Sequence, residues 1–302
     1  MTNNVLFFAY NRPLHLELTL TQALKFNKDP SRQFIVIVDG PKNHYDFIKI
    51  NEIRILLDRL PNVIPIYRKN NVGLERNISS GVSDFFINFD TLIILEDDIL
   101  IDEPFFEFFD QNLSRFSDSN KVASIQGYSP YLGKLELDHY FLRGADCWGW
   151  GTWKRNWNLY QSSGRVLIKE LRRNKLLRDF DLNGSFPYSN MLRGEILKLV
   201  ESWAIKWHAS MFINNKLSLY PYPSLIQNIG FDGSGTNSPL LDLPQSNFVK
   251  VQNVPKVSSN NVEESQALVN LLEKYYKSKN QLSNVKKFLY TLKLDFKIAL
   301  NK

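Results

Sequence analysis

The feature that most constrains this chain is the junction between an apolar run and three consecutive acids. The run Leu92 to Leu95 is long enough for a buried strand, and Glu96-Asp97-Asp98 follows it directly. Neighbouring carboxylates repel one another and a buried unpaired charge is costly, so the cluster needs either solvent or a neutralising cation. Two interpretations stay open: a solvated loop, or a Mg²⁺ or Mn²⁺ site that faces a phosphate-bearing ligand.

Composition limits the class of protein. The chain has 302 residues, of which 43% are hydrophobic and 23% charged, so it can bury a large core. Its single cysteine allows no internal disulfide, and its four histidines show no zinc-ligand spacing. No apolar stretch has the length of a membrane span or the form of a signal peptide, which predicts a cytoplasmic protein. The net charge of +6 does not by itself select a partner.

The first half of the chain alternates strand and helix patterns. Strand patterns cover residues 5–10, 34–38, 63–67, 92–95 and 122–126, with helix patterns between them. Pro65 predicts that the third strand lies at a sheet edge or carries a bulge. The alternation predicts an α/β fold with a mostly parallel central sheet and helices on both faces. Ligands of such sheets bind at the carboxyl ends of the strands.

Polar residues gather where these strands end. Besides the acid triplet they are Asn11, Arg12, Asp39, Asn71, Arg76 and Asn77. Each has a simpler role open to it, since Asn11 can cap a helix, Asp39 can shape an Asp-Gly turn and Arg76 can be a solvated helix residue. Their convergence at one sheet edge nevertheless predicts a site. The absence of Gly-x-Gly-x-x-Gly and P-loop motifs disfavours a Rossmann dehydrogenase or a P-loop NTPase.

The second half is marked by tryptophan and glycine. Residues 144–157 hold four of the six tryptophans, including Trp148 and Trp150, together with three glycines. Aromatic faces stack on sugar rings or nucleobases, whereas buried tryptophans would only stabilise an irregular loop, and both interpretations stay open. Trp203 lies in a further helix pattern. Residues 229–237 are dense in turn residues and can close over a ligand.

These motifs resemble those of GT-A-fold glycosyltransferases, in particular the bacterial relatives of family 2 enzymes. The shared segments are Trp-Gly-Trp, Ser-Trp-Ala-Ile-Lys-Trp and Gln-Asn-Ile-Gly-Phe-Asp-Gly-Ser-Gly, and the acid triplet is similar to the Glu-Asp-Asp motif of N-acetylglucosaminyltransferase I-like enzymes. The resemblance implies a GT-A domain at residues 1–240. It divides into a nucleotide-binding half, 1–130, and an acceptor and catalytic half, 131–240. A C-terminal linker and helices follow at 241–302.

The resemblance also implies roles for the polar residues. Asp98 would bind Mn²⁺ or Mg²⁺, while Glu96 and Asp97 would contact the uridine, ribose or sugar of a nucleotide-sugar donor, most simply a UDP-sugar. Asp39 would accept a hydrogen bond from the base, and Arg76 would meet the diphosphate in an inverting displacement. The other residues assigned to the donor are Asn11, Arg12, Asn71, Trp148, Trp150 and Trp203.

The general base is expected among three carboxylates. Eukaryotic relatives carry an aspartate in a Trp-Asp-Asp-Trp segment, but the corresponding Trp-Ala-Ile-Lys segment here has none. We select Glu201, which flanks this segment, followed by Glu195 and Asp146. A simpler role for Glu201, favouring the positive end of its helix, stays equally open. Where relatives often have a histidine at the metal, Asn237 or Asp232 is the candidate here.

The chain after residue 240 turns polar and then helical. One helix is predicted from Val262 to Lys277, and a second pattern covers 284–302. The second has an apolar stripe opposed by lysines: Val285, Phe288, Leu289, Leu292, Phe296 and Leu300 against Lys286, Lys293 and Lys297. Such a helix suits the inner face of the cytoplasmic membrane, and it equally suits docking against the protein's own core.

Together these features predict a metal-dependent glycosyltransferase that moves a hexosyl or N-acetylhexosaminyl group from a nucleotide sugar to a glycan or lipid-linked glycan. Bacterial surface polysaccharide or lipooligosaccharide synthesis is the expected context, with no nucleic-acid partner. One alternative is a sugar-phosphate nucleotidyltransferase, although its Gly-x-Gly-x-Arg loop is missing after the first strand. The other is a non-catalytic carbohydrate-binding protein on the same fold.

Overall fold

A computed structural model describes residues 3–233, 250–257, 261–279 and 284–300. Its strands are β1 (Asn4–Ala9), β2 (Phe34–Val38), β3 (Val63–Tyr67), β4 (Thr91–Glu96), β5 (Ile99–Ile101), β6 (Val122–Gln126), β7 (His139–Arg143), β8 (Trp150–Trp153), β9 (Leu217–Pro221) and β10 (Ile226–Asn228). Its helices are α1 (Pro13–Phe26), α2 (His44–Asp58), α3 (Leu74–Phe85), α4 (Phe105–Arg115), α5 (Lys154–Trp157), α6 (Gly164–Arg173), α7 (Leu177–Phe180), α8 (Tyr188–Ile196), α9 (Trp203–Ile213), α10 (Gln266–Lys279) and α11 (Asn284–Leu300).

The central sheet has eight strands in the order β3-β2-β1-β4-β8-β6-β9-β7. The strands β3, β2, β1 and β4 run parallel, and β6 is parallel to β9. Two strands run against their neighbours: β8 lies antiparallel between β4 and β6, and β7 lies antiparallel to β9. The predicted α/β class with a mostly parallel sheet is therefore confirmed. As Pro65 predicts, β3 lies at the edge of the sheet.

Both faces of the sheet are buried under helices because side chains alternate along each strand. Val5, Phe7 and Leu95 face a core built with α1, α2 and α4. Leu6 and Ile94 face the opposite core, which α3 and α9 cover. The continuous apolar runs in β1, β2 and β4 follow from this double burial, which is typical of parallel strands.

The tryptophan segment is more regular than expected, because residues 150–153 form β8 rather than an irregular loop. Gly151 allows this strand to pass close to α4, since a Cβ there would crowd the ring of Phe109. Trp150 and Trp153 project to opposite faces, one into each core. The tryptophans therefore stabilise the centre of the sheet.

The two C-terminal helices pack on the rest of the molecule. The residue before α10 donates a backbone hydrogen bond to β7, from Ser265 N to Phe141 O at 2.9 Å. Helix α11 packs on α8 and α6, where Asp295 bonds Arg193 at 2.7 Å and Arg172 at 2.5 Å. The first tail helix begins at Gln266, later than predicted. The predicted domain boundary at residue 240 lies outside the described residues.

The described part of the apolar stripe of α11 faces away from the protein. Its described members Leu289, Leu292, Phe296 and Leu300 are 49–67% exposed, whereas the helix docks through Leu294, which is 2% exposed. Docking of the stripe on the protein's own core is therefore wrong for these four residues. Among the described helices, none combines the length and apolarity needed to cross a bilayer.

Candidate functional site

The candidate site lies where the connections between parallel strands change direction. From β1 the chain runs outward to β2 and β3 and then returns to pair β4 with the other side of β1. Ligands of open α/β sheets bind at the carboxyl ends of strands at such a switch point. Arg12 follows β1 at this point, and the acid triplet stands at the end of β4. The topology thus brings together residues that are 85 positions apart.

The three acids do not share one environment. Glu96 is the last residue of β4 and lies on the same strand face as Leu92 and Ile94. This face packs on the core that contains Trp150, Trp157, Trp203 and Trp207, here called the tryptophan core. Asp97 and Asp98 both contact the guanidinium of Arg12, with 2.9 Å between Arg12 Nη2 and Asp98 Oδ2. Arg12 is therefore the cation that neutralises the second and third acids of the triplet.

Burial and mutual repulsion keep the triplet from ionising fully. Burial raises the pKa of Glu96 to about 8, with the charges of Asp98 and Asp97 adding to the effect. Burial also raises the pKa of Asp97 to about 6, although Arg12 opposes this. Burial and the neighbouring carboxylates therefore favour the protonated form of Glu96.

The turn-rich loop after β10 lies directly against the triplet. Ile229 N donates to Asp98 O at 2.8 Å, and Gly230 N donates to Asn228 Oδ1 at 2.8 Å. A Cβ at Gly230 would overlap Asp98 Oδ2, so only glycine allows this approach. The described part of the loop, residues 229–233, thus begins at the triplet, and its closure over a ligand stays a prediction.

The donor set at Asp98 suits a divalent cation that retains water and phosphate ligands. Across the part of the chain that the structure describes, no three His, Cys, Asp or Glu side chains gather to hold a metal alone. Mg²⁺-type sites commonly use one or two carboxylates plus substrate phosphates, and Asp98 can supply one. Asp232 binds His15 at 3.1 Å, whereas Asn237 lies outside the described residues.

Asp39 and Asn71 join two loops at this edge. The buried carboxylate of Asp39 accepts backbone hydrogen bonds from Gly40, Val72 and Gly73 at 2.8–3.0 Å. Asn71 Nδ2 donates to Gly40 O at 2.8 Å. These contacts hold the loop after β2 against the loop after β3, so the simpler turn-shaping role of Asp39 is present in the structure. Its contact with a nucleobase stays a prediction.

Asp46 is a residue of this edge that the sequence interpretation missed. Its carboxylate accepts hydrogen bonds from Tyr10 at 2.6 Å and from Asn11 at 2.7 Å. Burial opposes ionisation, but these bonds and those from the backbone of Lys42 and Asn43 hold the pKa of Asp46 below its usual value. Asn11 therefore fixes α2 and does not cap α1. The available signal was Asn43, which caps α2 three residues before Asp46.

Arg76 is not the cation that the structure places at the triplet. It is an exposed residue in the first turn of α3, and its contact with a diphosphate stays a prediction. The neighbouring Asn77 is buried and accepts a hydrogen bond from Arg68 at 2.6 Å. Asn77 therefore fixes the start of α3, and Arg12 carries the charge that meets Asp97 and Asp98.

Two of the three tryptophans assigned to the donor are core residues. Trp150 and Trp203 are 1% and 3% exposed, and their ring centroids lie 5.5 Å apart within the tryptophan core. Because protein rings already cover their faces, the predicted stacking of these two on a ligand is wrong. Trp148 differs, since it is only half-buried and contacts Phe231, which follows Gly230 in the loop against Asp98.

Two of the three candidate bases occupy positions that suit a structural role. Glu201 is exposed and precedes Ser202, the N-cap of α9. It therefore lies at the positive N-terminal end of that helix, where a carboxylate is favourable without any catalytic role. Glu195 bonds the buried Lys206 at 2.8 Å, and Glu75 bonds the same ammonium group. A buried ammonium needs these carboxylates, which assigns Glu195 a structural role.

Asp146 is the candidate base whose segment reaches the loop after β10, because Trp148, two residues further on, contacts Phe231 with 5.5 Å between ring centroids. Burial raises the pKa of Asp146, and its described hydrogen bond comes from Cys147 N at 2.9 Å. Burial raises the pKa of the Cys147 thiol, and the charges of Asp146, Glu96 and Asp98 add to the effect.

Comparison with known proteins gives partial structural overlaps. No protein-family model and no curated protein matches the chain. The mannosyltransferase PcManGT from Pyrobaculum calidifontis, in complex with GDP-Man and Mn²⁺, overlaps 43% of this chain and 36% of its own at 10% identity and a TM-score of 0.33. S. aureus TarS 1–349 overlaps 58% and 49% at 9% identity and 0.35. GalNAc-T7 with UDP, GalNAc and Mn²⁺ overlaps 52% and 36% at 10% identity and 0.38.

The chain thus spans about a third to a half of the length of these solved structures. Overlaps of this extent identify no family.

Proposed function

We propose that the protein is a metal-dependent GT-A-type glycosyltransferase that transfers a sugar from a nucleotide-sugar donor. The observation that carries the proposal is the juxtaposition of Arg12 with Asp97 and Asp98 at the switch point between β1 and β4. This position is where an open α/β sheet binds its ligand. A guanidinium beside hard carboxylate oxygens is suited to a diphosphate and a divalent cation.

Donor binding divides between two parts of this edge. Asp98 would hold Mn²⁺ or Mg²⁺, and a bound metal would offset charge on the leaving diphosphate. Arg12 is placed to contact the same phosphates once it releases Asp98. The joined loops around Asp39 and Asn71 would receive the nucleobase, which we propose to be uracil. Glu96, whose pKa is raised by burial, would contact the donor sugar.

We assign the general base to Asp146. In the transfer an acceptor hydroxyl oxygen forms a bond to the anomeric carbon while the bond from that carbon to the diphosphate oxygen breaks. The bonding electron pair leaves with the nucleoside diphosphate, and the hydroxyl proton passes to the Asp146 carboxylate. A single displacement of this kind inverts the anomeric configuration. Asp146 suits the role because its raised pKa brings its proton affinity closer to neutral pH.

The proposed function is tested by nucleoside diphosphate release. A panel of UDP-, GDP- and TDP-sugars, with hexosyl and N-acetylhexosaminyl members, is incubated with and without Mn²⁺. The parent is expected to release nucleoside diphosphate in the presence of Mn²⁺. The rate of release should fall at least about 100-fold in Asp98→Ala, because that change removes the carboxylate proposed to bind the metal. Turnover of sugar phosphates with nucleoside triphosphates would instead support a nucleotidyltransferase. Absence of both activities and of stabilisation by UDP with Mn²⁺ would favour a non-catalytic protein.

The assignment of the base has its own test. Asp146→Asn is expected to retain binding of UDP with Mn²⁺ but to lower turnover at least about 100-fold, because the amide cannot accept the proton. In the parent, turnover should fall as the pH drops through the raised pKa of Asp146. Glu201→Gln and Glu195→Gln serve as the competing variants. A loss of turnover confined to Glu201→Gln would transfer the role to Glu201.

We further propose that α11 holds the enzyme at the inner face of the cytoplasmic membrane, where bacterial surface polysaccharide or lipooligosaccharide acceptors are assembled. Leu289, Leu292, Phe296 and Leu300 form an exposed apolar stripe, and the exposed Lys293 and Lys297 flank it. Apolar residues beside a lysine row are the chemistry that binds anionic lipid surfaces. A lipid-linked glycan is then the natural acceptor.

Membrane binding is tested with substitutions that spare the docked face of α11. Leu292→Ser with Phe296→Ser should lower sedimentation with phosphatidylglycerol-containing vesicles at least about tenfold while sparing donor hydrolysis. Leu14→Ser, at an apolar residue of α1 that is 71% exposed, is the matched control. Unchanged vesicle binding in the double variant would contradict the proposal.

A further inference from the structure

Helix α6 and the turn after it carry a large share of the positive charge of the chain. Residues 164–178 contain six lysines and arginines and one glutamate, a net charge of +5, compared with +6 for all 302 residues. Each of the six cations is exposed: Arg165, Lys169, Arg172, Arg173, Lys175 and Arg178. Like charges on one surface repel one another and create a positive potential. This surface therefore favours an anionic partner.

Four of these cations are aligned along α6, and we call them the basic row: Arg165, Lys169, Arg172 and Arg173. Each of the three arginines lies three or four residues from Lys169 in the sequence, which places all four side chains on one side of the helix. Leu167 and Leu171 are buried and hold the other side of α6 against the protein. The basic row is therefore displayed on the outside of the fold.

The basic row lies beside α11. Arg172 Nη2 binds the Asp295 carboxylate of α11 at 2.5 Å, and Arg165 Nη1 donates to the backbone oxygen of Ile298 at 3.2 Å. Lys169 stands between these two arginines along α6. The basic row thus runs along the edge of α11 over the length of their contact.

The described part of the apolar stripe of α11 separates two groups of cations. Neighbouring residues of a helix differ in direction by about 100°, so Asp295 and Lys297 lie on either side of Phe296. Asp295 binds Arg172 of α6, so the basic row lies on one side of the stripe. Lys293 and Lys297, which are one turn apart and both exposed, lie on the other side. Positive charge therefore borders the exposed apolar stripe on both sides.

We propose that the basic row binds the phosphate groups of anionic lipids, so that α6 and α11 form one membrane-docking surface. The inference rests on the proposed function, because it extends the attachment proposed there for α11 alone. Guanidinium and ammonium groups bind phosphate, and each cation near an anionic membrane strengthens binding about fivefold. A soluble polyanion would meet the same cations but would leave the apolar stripe in water. An apolar stripe between two groups of cations is therefore better matched to a lipid surface.

The test separates the basic row from the apolar stripe. Sedimentation of the full chain is measured with phosphatidylcholine vesicles that contain or lack phosphatidylglycerol, in about 50 mM and about 500 mM NaCl. Lys169→Gln with Arg173→Gln removes two charges of the basic row and keeps both arginines that contact α11. Lys25→Gln with Arg59→Gln, an exposed lysine and an exposed arginine at the ends of α1 and α2, is the matched control. The melting temperature and nucleoside diphosphate release without vesicles are recorded for every variant.

The expected result is a loss of binding confined to anionic vesicles. The parent should bind vesicles with phosphatidylglycerol more tightly than those without it, and less tightly at the higher salt concentration. The basic-row variant should bind the anionic vesicles at least about tenfold more weakly at low salt, because two phosphate-binding charges are gone. The control should bind as the parent does. Binding to pure phosphatidylcholine, nucleoside diphosphate release and the melting temperature should stay the same in both variants.

Four outcomes would overturn the role of the basic row. They are equal binding of its variant and the parent to anionic vesicles, an equal loss in the control, no binding of the parent to either vesicle, and loss of nucleoside diphosphate release in the variant. A variant that loses affinity for a fluorescent oligonucleotide but not for vesicles would assign the row to a soluble polyanion instead. Absence of nucleoside diphosphate release from the parent would overturn the proposed transferase and leave the vesicle result as it stands.

Discussion

Arg12 controls the charge of the acid triplet at the scale of single residues. It contacts both Asp97 and Asp98, and it directly precedes α1, which docks on the sheet through Leu16 and Leu20. Without a counter-charge the adjacent carboxylates would have to protonate or unfold locally. The same guanidinium must release Asp98 before a metal can use that carboxylate fully.

Replacing Arg12 by Gln is therefore expected to tighten Mn²⁺ binding to the nucleotide-free protein, by on the order of tenfold, because Asp98 loses its competing cation. Electron paramagnetic resonance of free Mn²⁺ measures this directly. Arg76→Gln, which removes an equal charge from the exposed start of α3, should leave the affinity unchanged. Weaker or unaltered Mn²⁺ binding in Arg12→Gln would contradict the competition.

His208 makes stability depend on pH. Burial lowers its pKa to about 4, against a hydrogen bond with Ala145 that favours the charged form. Between about pH 6.5 and 4 the unfolded chain binds a proton at this residue that the folded protein does not, so stability falls as the pH drops. The loss is at most about 3 kcal/mol. The free energy of unfolding in urea should differ less between pH 7.5 and 5 in His208→Gln than in the parent. His44→Gln, at an exposed histidine, should show the same difference as the parent.

The loop after β10 is decisive at the scale of secondary-structure elements. Pairing of β10 with β5 fixes the loop beside the triplet, and the backbone of Ile229 bonds Asp98. The loop also carries Phe231, which packs on Trp148, two residues after Asp146. One short strand thus positions the loop that joins the acid triplet to the segment of the proposed base.

A methyl group at Gly230 should separate this loop from the triplet. Gly230→Ala places a Cβ against the Asp98 carboxylate and near Arg12 Nη1, at 3.1 Å. We expect the apparent affinity for UDP with Mn²⁺, measured from thermal stabilisation, to fall at least about tenfold. The melting temperature of the ligand-free variant should stay within a few degrees of that of the parent. Gly194→Ala, where a Cβ meets only Val200 at 3.4 Å, is the control. Parent-like binding in Gly230→Ala would show that the loop is free to move away.

The whole molecule depends on how the C-terminal helices attach to the sheet domain. Helix α10 packs on the sheet through the buried Leu268, and α11 is held to α8 and α6 by Asp295. The partner Arg193 is 2% exposed, so its charge depends on that carboxylate. Because α11 docks through the face that carries Leu294, the described part of its apolar stripe faces outward.

Loss of the Asp295 carboxylate should loosen this attachment. Asp295→Ala leaves a buried guanidinium without its carboxylate, for an expected cost of about 2 kcal/mol and earlier proteolytic cleavage within α11. Glu170→Ala removes a pair with the exposed Arg173 and should cost less than about 0.5 kcal/mol. Equal proteolysis of Asp295→Ala and the parent would show that apolar contacts alone hold the helix.

Local pattern was sufficient for much of the fold. The strand before the triplet, the edge position of β3 and the amphipathic α11 follow from periodicity and from Pro65, because hydrophobic alternation acts over neighbouring residues. The antiparallel β8 was not predictable in this way. A strand of tryptophans and a glycine is stable at this position because β4 and β6 pair with it and helices cover both of its faces.

The sequence by itself determined that a buried strand delivers three acids to the carboxyl edge of an α/β sheet. Only the tertiary structure decided that Arg12 neutralises two of them, that Asn11 donates a hydrogen bond to Asp46, and that the loop after β10 lies against Asp98. The physical reason is that burial, counter-charges and ring contacts are set by residues far apart in the chain. Pattern fixes which side chains reach the edge, whereas packing fixes what each of them meets there.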